Sequence, residues 1–503
     1  MRNVNAKRLQ HAAMETLFPL AAGLVVAQAV ATVFVYGSNL RLFGHLEAIT
    51  AAGYLPVPNQ VIAATLKDLG PAAWGGLFYT LSIGTGLTLA AWAIALTWDR
   101  LLHRRKTVTL AVIAGWIGIV ALVNWNGPTL YPSLFCILVP LATGLTTLRL
   151  SAAGERHGLG QGWIPIAALA LLTALWATQL DKQLFASIRD HVLLSNPVGR
   201  SVNDFYYRYT LYAAEAFKSF DQKTLRTARI RGTANPEVRK RVEGRLAQFD
   251  VIAVGSDRAP DIELDLSNES LRLERGGKTV VETILDPFLR NPAASLSRYA
   301  KATDRSGHFR KLTLIGLLGG FPILLYIVVY AALKAPLALA VGRQKAVVGA
   351  SALCLVVGVL LFLPMLKARP EALSNEGLAQ ALSDTRWPRR VAALRYIHAH
   401  DIDVARYPQY SALLDSPLVV ERYWLTRALA TSRSSATYHQ LISLTRDPHP
   451  NVVCQAYYAL GRRGDRRAVK PILEQMAQSD HWYAQWYGYR ALRRLQWHQN
   501  RLQ

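Results

Sequence analysis

The sequence predicts a mostly α-helical membrane protein: a seven-span helical bundle with a small extracytoplasmic α+β domain and a C-terminal α-solenoid. Three observations lead there. Seven apolar runs, at 17–36, 71–98, 108–125, 130–148, 163–180, 312–333 and 346–366, are each long enough, at about 1.5 Å per helical residue, to cross a hydrocarbon core of about 30 Å. Between the fifth and sixth runs, strand-like alternation is mixed with an amphipathic helical pattern. After the seventh, Asp recurs at 384, 415, 447 and 480 at the head of similar phrases, and a period of that length marks stacked helix pairs. The expected divisions are 1–180 (five spans), 181–311 (α+β), 312–366 (a spanning hairpin) and 367–503 (the solenoid).

Composition agrees. The mean hydropathy of +0.15 and the 51% hydrophobic content average long apolar runs with ordinary soluble segments. The net charge of +24 is spread over all parts, with +5 in 181–310 and +9 in 367–503. No block is basic enough to require nucleic acid, and much of the charge is topogenic. With a cytoplasmic N-terminus, twelve Lys and Arg fall in inside segments, whereas the short outside loops hold only Arg41 and Lys67. Arg310 and Lys311 flank the sixth span on the outside, against this trend. Seven spans then put both large domains outside, in a bacterial inner membrane. Cys136, Cys354 and Cys454 form no disulfide framework or CxxC pair. The first apolar run is long and lacks a small-residue cleavage site after it, so it reads as an anchor.

Along the chain, residues 37–70 hold Glu47, Pro56, Pro58, Asn59, Gln60 and Asp68, too polar to cross, with helical spacing that suggests one or two interfacial helices. Asn126-Gly127-Pro128 is a turn between spans three and four. Gly158–Gly162 reads as a link between spans four and five. The stretch 203–212, with Tyr206 and Tyr209, is an aromatic belt on a helix near the bilayer, or a surface for lipid or a partner helix. Beyond it come a strand at 224–230, a helix at 236–248 with Pro236 in its first turn, and strands at 250–254, 261–266, 270–275 and 279–284. Gly276-Gly277 makes the last hairpin. A helix at 286–302 leads back to the membrane.

In the repeats, Asp or Ser ahead of a helix is expected to accept a backbone N–H, Pro to fill the first turn, and Gly461 and Gly464 to end a helix at Arg462-Arg463. The phrase Asp447-Pro448-His449-Pro450-Asn451-Val452, followed by Ala459-Leu460-Gly461, Gly464-Asp465 and Ala468, resembles the HEAT-like repeats first described in phycobilisome lyases. It departs from them at Val453, where the family usually has Arg, and the outer copies are degenerate. The resemblance covers roughly 375–495 and implies a stacked-helix surface for protein contacts, without lyase activity.

No HExxH, GxSxG, Walker A or dinucleotide fingerprint is present, and the sequence offers no catalytic, cofactor-binding or metal-ligating set. His398, His400, Asp401 and Asp403 read as a solvated helix end. No Asp, Glu, Lys or Arg lies near the centre of a span, where Gln28 is the most polar residue, and this disfavours a pump or ion-coupled carrier. The expected role is a scaffold or adaptor contacting other envelope or membrane proteins and membrane lipid, with Arg462, Arg463, Arg466, Arg467, Tyr206, Tyr209, Trp482 and Trp486 as candidate interaction residues. One rival reading is an enzyme or lipid-handling component acting on envelope lipid or glycan, with Asn124, Asn126, Asp181 and Asp190 as its polar candidates. Another is an accessory transporter subunit. The spanning hairpin should hold the two outer domains together, through Asp261, Glu263 and Asp265 on one strand face and the four arginines at the repeat turn.

Overall fold

The computed structural model describes residues 2–153, 163–181, 183–255, 259–367 and 373–501. The expected Gly158–Gly162 link lies outside them. Helices of eight residues or more are numbered here in chain order. The membrane part comprises α1 (Arg2–Ala51), α2 (Leu69–Arg100), α3 (Lys106–Val123), α4 (Leu130–Ala153), α5 (Trp163–Ala177), α9 (Gly307–Val341) and α10 (Arg343–Lys367). The α+β region carries α6 (Pro197–Ala216), α7 (Pro236–Ala247) and α8 (Pro292–Thr303), and the repeats carry α11 (Trp387–Ala399), α12 (Val419–Ala428), α13 (Ser435–Leu444), α14 (Pro450–Arg463), α15 (Val469–Gln478) and α16 (Trp482–Arg494). Among the described residues, six helices are long and apolar enough to cross a membrane; α5 is apolar but shorter, at 15 residues.

Side chains in this part are arranged inside out. Val25, Val33, Ile113, Ile117, Leu171, Leu360 and Leu361 are exposed, while Ser82, Thr85, Thr88, Thr143 and Thr147 are buried. Lipid offers no hydrophobic reward for burying Leu, so membrane helices meet through small and hydroxylated residues. Gln28 follows the same logic: it donates to the Ala73 carbonyl (2.8 Å) and accepts from Thr80 Oγ1 (2.7 Å). A close crossing joins α2 and α9, each interrupted by a π-helical segment, Thr80–Gly84 and Gly316–Gly320. A Cβ added at Gly316 would stand 2.4 Å from the Ser82 carbonyl oxygen, and one at Gly320 would stand 3.0 Å from Gly86.

One expectation is corrected outright. Residues 37–51 form no separate interfacial helix, because α1 runs unbroken for 50 residues. At about 1.5 Å per residue it is far longer than a bilayer core is thick. Its final turns bury Leu46 and Ile49 against the α+β domain and the repeat array, which supply the apolar cover that solvent would not. Only the short helix Gln60–Thr65 follows before α2.

The α+β domain has β1 (Arg226–Arg231), β2 (Val251–Ala253), β3 (Ile262–Leu266), β4 (Ser270–Arg275) and β5 (Lys278–Ile284) in one sheet, ordered β2-β1-β3-β4-β5. β1 is parallel to both β2 and β3, and the rest is antiparallel. The β4–β5 turn uses positive φ at Gly276 and Gly277 (57° and 74°), as a tight hairpin requires. Phe217, at the end of α6, fastens this region to the bundle: its ring lies 4.4 Å from both Phe34 and Phe309.

The α+β domain and the repeat array do touch, but not through the expected clusters. Asp261 is held by Lys223 at 2.5 Å, and Glu263 lies 3.5 Å from Arg231 and 3.8 Å from Arg229 of the neighbouring strand. The actual seam is Asp250, which accepts from Tyr489 Oη (2.5 Å) and Arg493 Nε (3.2 Å), while Arg493 also donates to the Gln248 carbonyl at 2.6 Å.

Candidate functional site on the inner face of the repeat array

The second helices of four repeats, α11, α12, α14 and α16, stack in order, and α13 and α15 cover two of them from outside. In the first two repeats that cover is reduced to Leu378–Leu382 and the 3₁₀ turns Val404–Arg406 and Pro408–Leu413. The turn chemistry is one step removed from helix capping. Asp384, Ser416, Asp447 and Ser479 accept from the N–H two residues on, at Arg386, Leu418, His449 and His481, so each closes a side-chain turn just before its helix. At two repeats the acceptor is thus the Ser beside the recurring Asp.

Six residues past these acceptors stand Arg390, Arg422, Val453 and Gln485. Arg390 and Arg422 fold back onto the carbonyls of Asp384 and Ser416 and reach forward to Glu421 and Asp447 of the next repeat. This is the physical content of the motif arginine, and Val453 cannot supply it. Gln485 keeps the backward bond, to the Ser479 carbonyl at 2.7 Å. Gly464, at φ 76°, ends α14. Gly461 does not, contrary to expectation: it stays helical so that α16 can approach, and a Cβ there would meet Ala491 Cα at 2.9 Å.

Residues 183–216 of the chain itself lie along the inner face from the first repeat to the last. Gln183 accepts from Arg395 (3.1 Å) and His191 packs on Trp387 (5.5 Å). Asp190, fully buried, accepts from Trp424 Nε1 at 2.8 Å and pairs with Arg189 at 2.7 Å, while the Arg189 guanidinium stacks 4.1 Å from the Tyr423 ring. Removing one member of such a buried pair costs about 3–5 kcal/mol, because the other is left uncompensated. Farther along, Asn203 donates to Asn451 (2.7 Å), Asp204 lies 3.4 Å from His449 Nε2, Tyr207 packs on Tyr483 (4.6 Å) and Tyr212 meets Trp482 edge-on (4.9 Å). The opposite side of α6 presents Val198, Val202 and Phe205 to the exterior.

A second fastening comes from the loop after α1. Asn59 Nδ2 lies 3.1 Å from the carbonyls of Met476, Ala477 and Ser479 at the end of α15, while its Oδ1 caps Gln60–Thr65. Its own N–H donates to Gln485 Oε1 at 2.6 Å.

The candidate residues separate under this geometry. Trp482 is buried against Tyr212; Tyr209 is half-buried, with its ring 6.2 Å from Trp74. Tyr206 is exposed, with its ring 6.5 Å from Tyr483 of α16. Arg463 is buried and bonds Thr437 Oγ1 and the Ser434 carbonyl. Arg466 and Arg467 are exposed at the turn, with Arg467 on Asp465 and over Tyr438. Arg462 and Trp486 lie on the inner face beyond residues 183–216, next to Tyr458, Arg427, Arg490 and Arg494. There His398 sits between Arg427 and Arg462, and burial and the two guanidinium groups depress its pKa to about 4. Among the described residues no group of three or more His, Cys, Asp or Glu is placed to hold a metal ion.

The polar residues of the rival reading do not converge. Asn124 closes its own turn on Thr129 and Ser133, Asp181 accepts from the Gln183 N–H, and Asp190 is consumed by Trp424 and Arg189. Asn126 lines an open cavity of about 470 Å³ with Asp304, His308, Arg310 and Lys311. Asp190, Asn203 and Asn59 were missed as docking residues. Asn203 and Asp204 beside five aromatics in 203–212 were the available signal; Asp190 and Asn59 carried none.

Comparison with curated proteins and with solved structures finds no match. Residues 409–493 match the family model of HEAT repeats, so the C-terminal region carries the repeats that its phrases resemble.

Proposed function

We propose that this protein is a membrane-anchored scaffold of a bacterial envelope complex, a seven-span protein with both large domains on the outer side of the inner membrane. The carrying observation is the immobilisation of the HEAT repeats on their own membrane part. A solenoid that served as a mobile lever would need a sparse attachment. This one is tied down by the hydrogen bond from Trp424 to the buried Asp190, an Asn–Asn pair, an aromatic seam and the Asn59 cap. A fixed solenoid with part of its inner face open is suited to holding a second protein at a set distance from the bilayer. The seventh span in this reading is α5, and the outer placement rests on the charge bias of the short loops.

Two measurements test it. Reporter fusions after Arg105, Gly255 and Gln503 should give cytoplasmic activity at the first and outer activity at the other two; cytoplasmic activity at Gln503 overturns the topology. Gentle solubilisation should retain a stoichiometric protein partner. A chain that purifies alone from several detergents and from native nanodiscs is no scaffold. The cavity at Asn126 and Arg310 favours a second reading, in which the outer ends of α3 and α9 hold an anionic headgroup. Retention of a lipid phosphate that Arg310→Ala removes would be its signature.

A further inference from the structure

From the edge of residues 183–216, where Arg395 meets Gln183 and Trp424 meets Asp190, outward over the part of the inner face left open, arginines and aromatic rings alternate across repeats. The Arg395 guanidinium lies 5.2 Å from the Trp424 ring, Arg427 lies 5.1 Å from Trp424 and 4.9 Å from Tyr458, and Arg494 lies 4.9 Å from Tyr458. Beside this chain, Arg490 covers Trp486 at 4.7 Å. The pattern follows from helix periodicity. On α16, Trp482, Trp486, Arg490 and Arg494 are four apart and share one stripe, whose first turn receives α6 and whose last turns stay open.

We infer that this open strip receives an acidic polypeptide segment of a partner protein. The inference rests on the scaffold reading and names its partner's chemistry. Among the described residues, Asp401 on Arg462 is the one carboxylate in a salt bridge with Arg395, Arg427, Arg462, Arg490 or Arg494, and Asp190 lies buried at the strip's edge on Trp424 Nε1. A guanidinium stacked on a ring keeps its N–H edge outward, which is the geometry of bidentate carboxylate recognition. The positive field is felt by His398, which accepts from Arg427 and Arg462 and so remains neutral.

The covered half of the face shows which ligand chemistry it takes. The chain's own segment presents Asp190 to Trp424 Nε1 and Asp204 to His449. A partner segment carrying carboxylates at intervals would extend the same arrangement over the open half. Nucleic acid fits less well, since the rings of Trp424, Tyr458 and Trp486 already carry guanidinium groups on their faces and have little left for a stacked base.

The test uses the full chain in neutral-lipid nanodiscs and a short fluorescent Glu/Ser peptide, with its Gln/Ser counterpart as control. The acidic peptide should bind and the Gln form should not. Arg490→Ala with Arg494→Ala, both exposed in the native chain, should weaken binding about tenfold or more, the scale expected for lost charge-assisted contacts. Arg466→Ala with Arg467→Ala, on the repeat turn, should leave it unchanged. Equal loss in the two variants, or loss in neither, overturns the assignment. So does a peptide that fails to bind while nanodiscs containing phosphatidylglycerol compete for the same arginines, which would make the strip a lipid surface. Partner copurification separates this failure from that of the scaffold reading. A partner retained by the Arg490/Arg494 variant sinks the strip and keeps the scaffold; a wild-type chain that retains none sinks both.

Discussion

At the scale of single residues, the array depends on polar groups whose ionisation is set by burial. His398 and His481 are both depressed to about 4, by burial first and then by nearby arginines: Arg427 and Arg462 for His398, Arg208 for His481. Asp401 acts in the opposite sense on His398, as Asp480, beside His481, does on its neighbour. The ordinary value is 6.5. Both side chains are therefore neutral in the folded protein at pH values where the unfolded chain would protonate them. Their contribution to stability is complete above pH 6.5 and is lost as the pH falls from 6.5 toward about 4. Thermal melting of the purified protein across that interval should show a falling midpoint, and His398→Gln combined with His481→Gln should flatten it. An unchanged slope in the double variant would assign the acid sensitivity elsewhere.

At the scale of elements, the crossing of α2 and α9 is a close backbone contact, and it depends on glycine. Each helix opens a π-helical turn at the contact, and Gly316 lets its backbone approach Ser82. Gly319, one turn on, has open space where a Cβ would go. Gly316→Leu should therefore cost about 1–3 kcal/mol or more through overpacking, read as a drop of the detergent melting temperature or as loss of folded protein. Gly319→Leu should melt like the parent. If both behave alike, the two helices do not meet at this point. The recurrence of Gly and Ser in 82–86 and 316–320 was readable beforehand. Their pairing was not, because nothing in either run specifies which other run it faces.

At the scale of the whole molecule, the α+β domain and the repeat array share one apolar core with the end of α1: Ile49, Tyr54, Leu225, Ile252 and Leu394 belong to a single buried cluster. Cysteines placed at Gln248 and Arg493 should be joined by a short bis-maleimide in intact membranes, since the Arg493 guanidinium reaches the Gln248 carbonyl. Cysteines at Glu263 and Arg466 should not, because Glu263 is engaged within its own sheet. The native thiols Cys136, Cys354 and Cys454 are all buried, which keeps the background low. The reverse pattern would mean that the domains dock through the acidic strand after all.

What the sequence by itself determined is whatever has a short period or a local cause. Runs of apolar residues located the helices of the membrane part, alternation with Gly276-Gly277 located the strands, and the Asp-headed phrases located the repeats. Each signal is carried by residues a few positions apart and survives without knowledge of the fold. Only the tertiary structure decided that residues 37–51 continue α1, since their polar side chains gain partners from domains hundreds of residues away, as His45 does from Ala259 and Asp261. The same holds for the inner face. Tyr206, Tyr209, Trp482 and Trp486 stood out as exposable aromatics, but their separation into internal seam and open strip depends on where residues 183–216 lie. That placement is fixed by Asp190 meeting Trp424 and Asn203 meeting Asn451 across more than 230 residues of chain, a pairing no local pattern encodes.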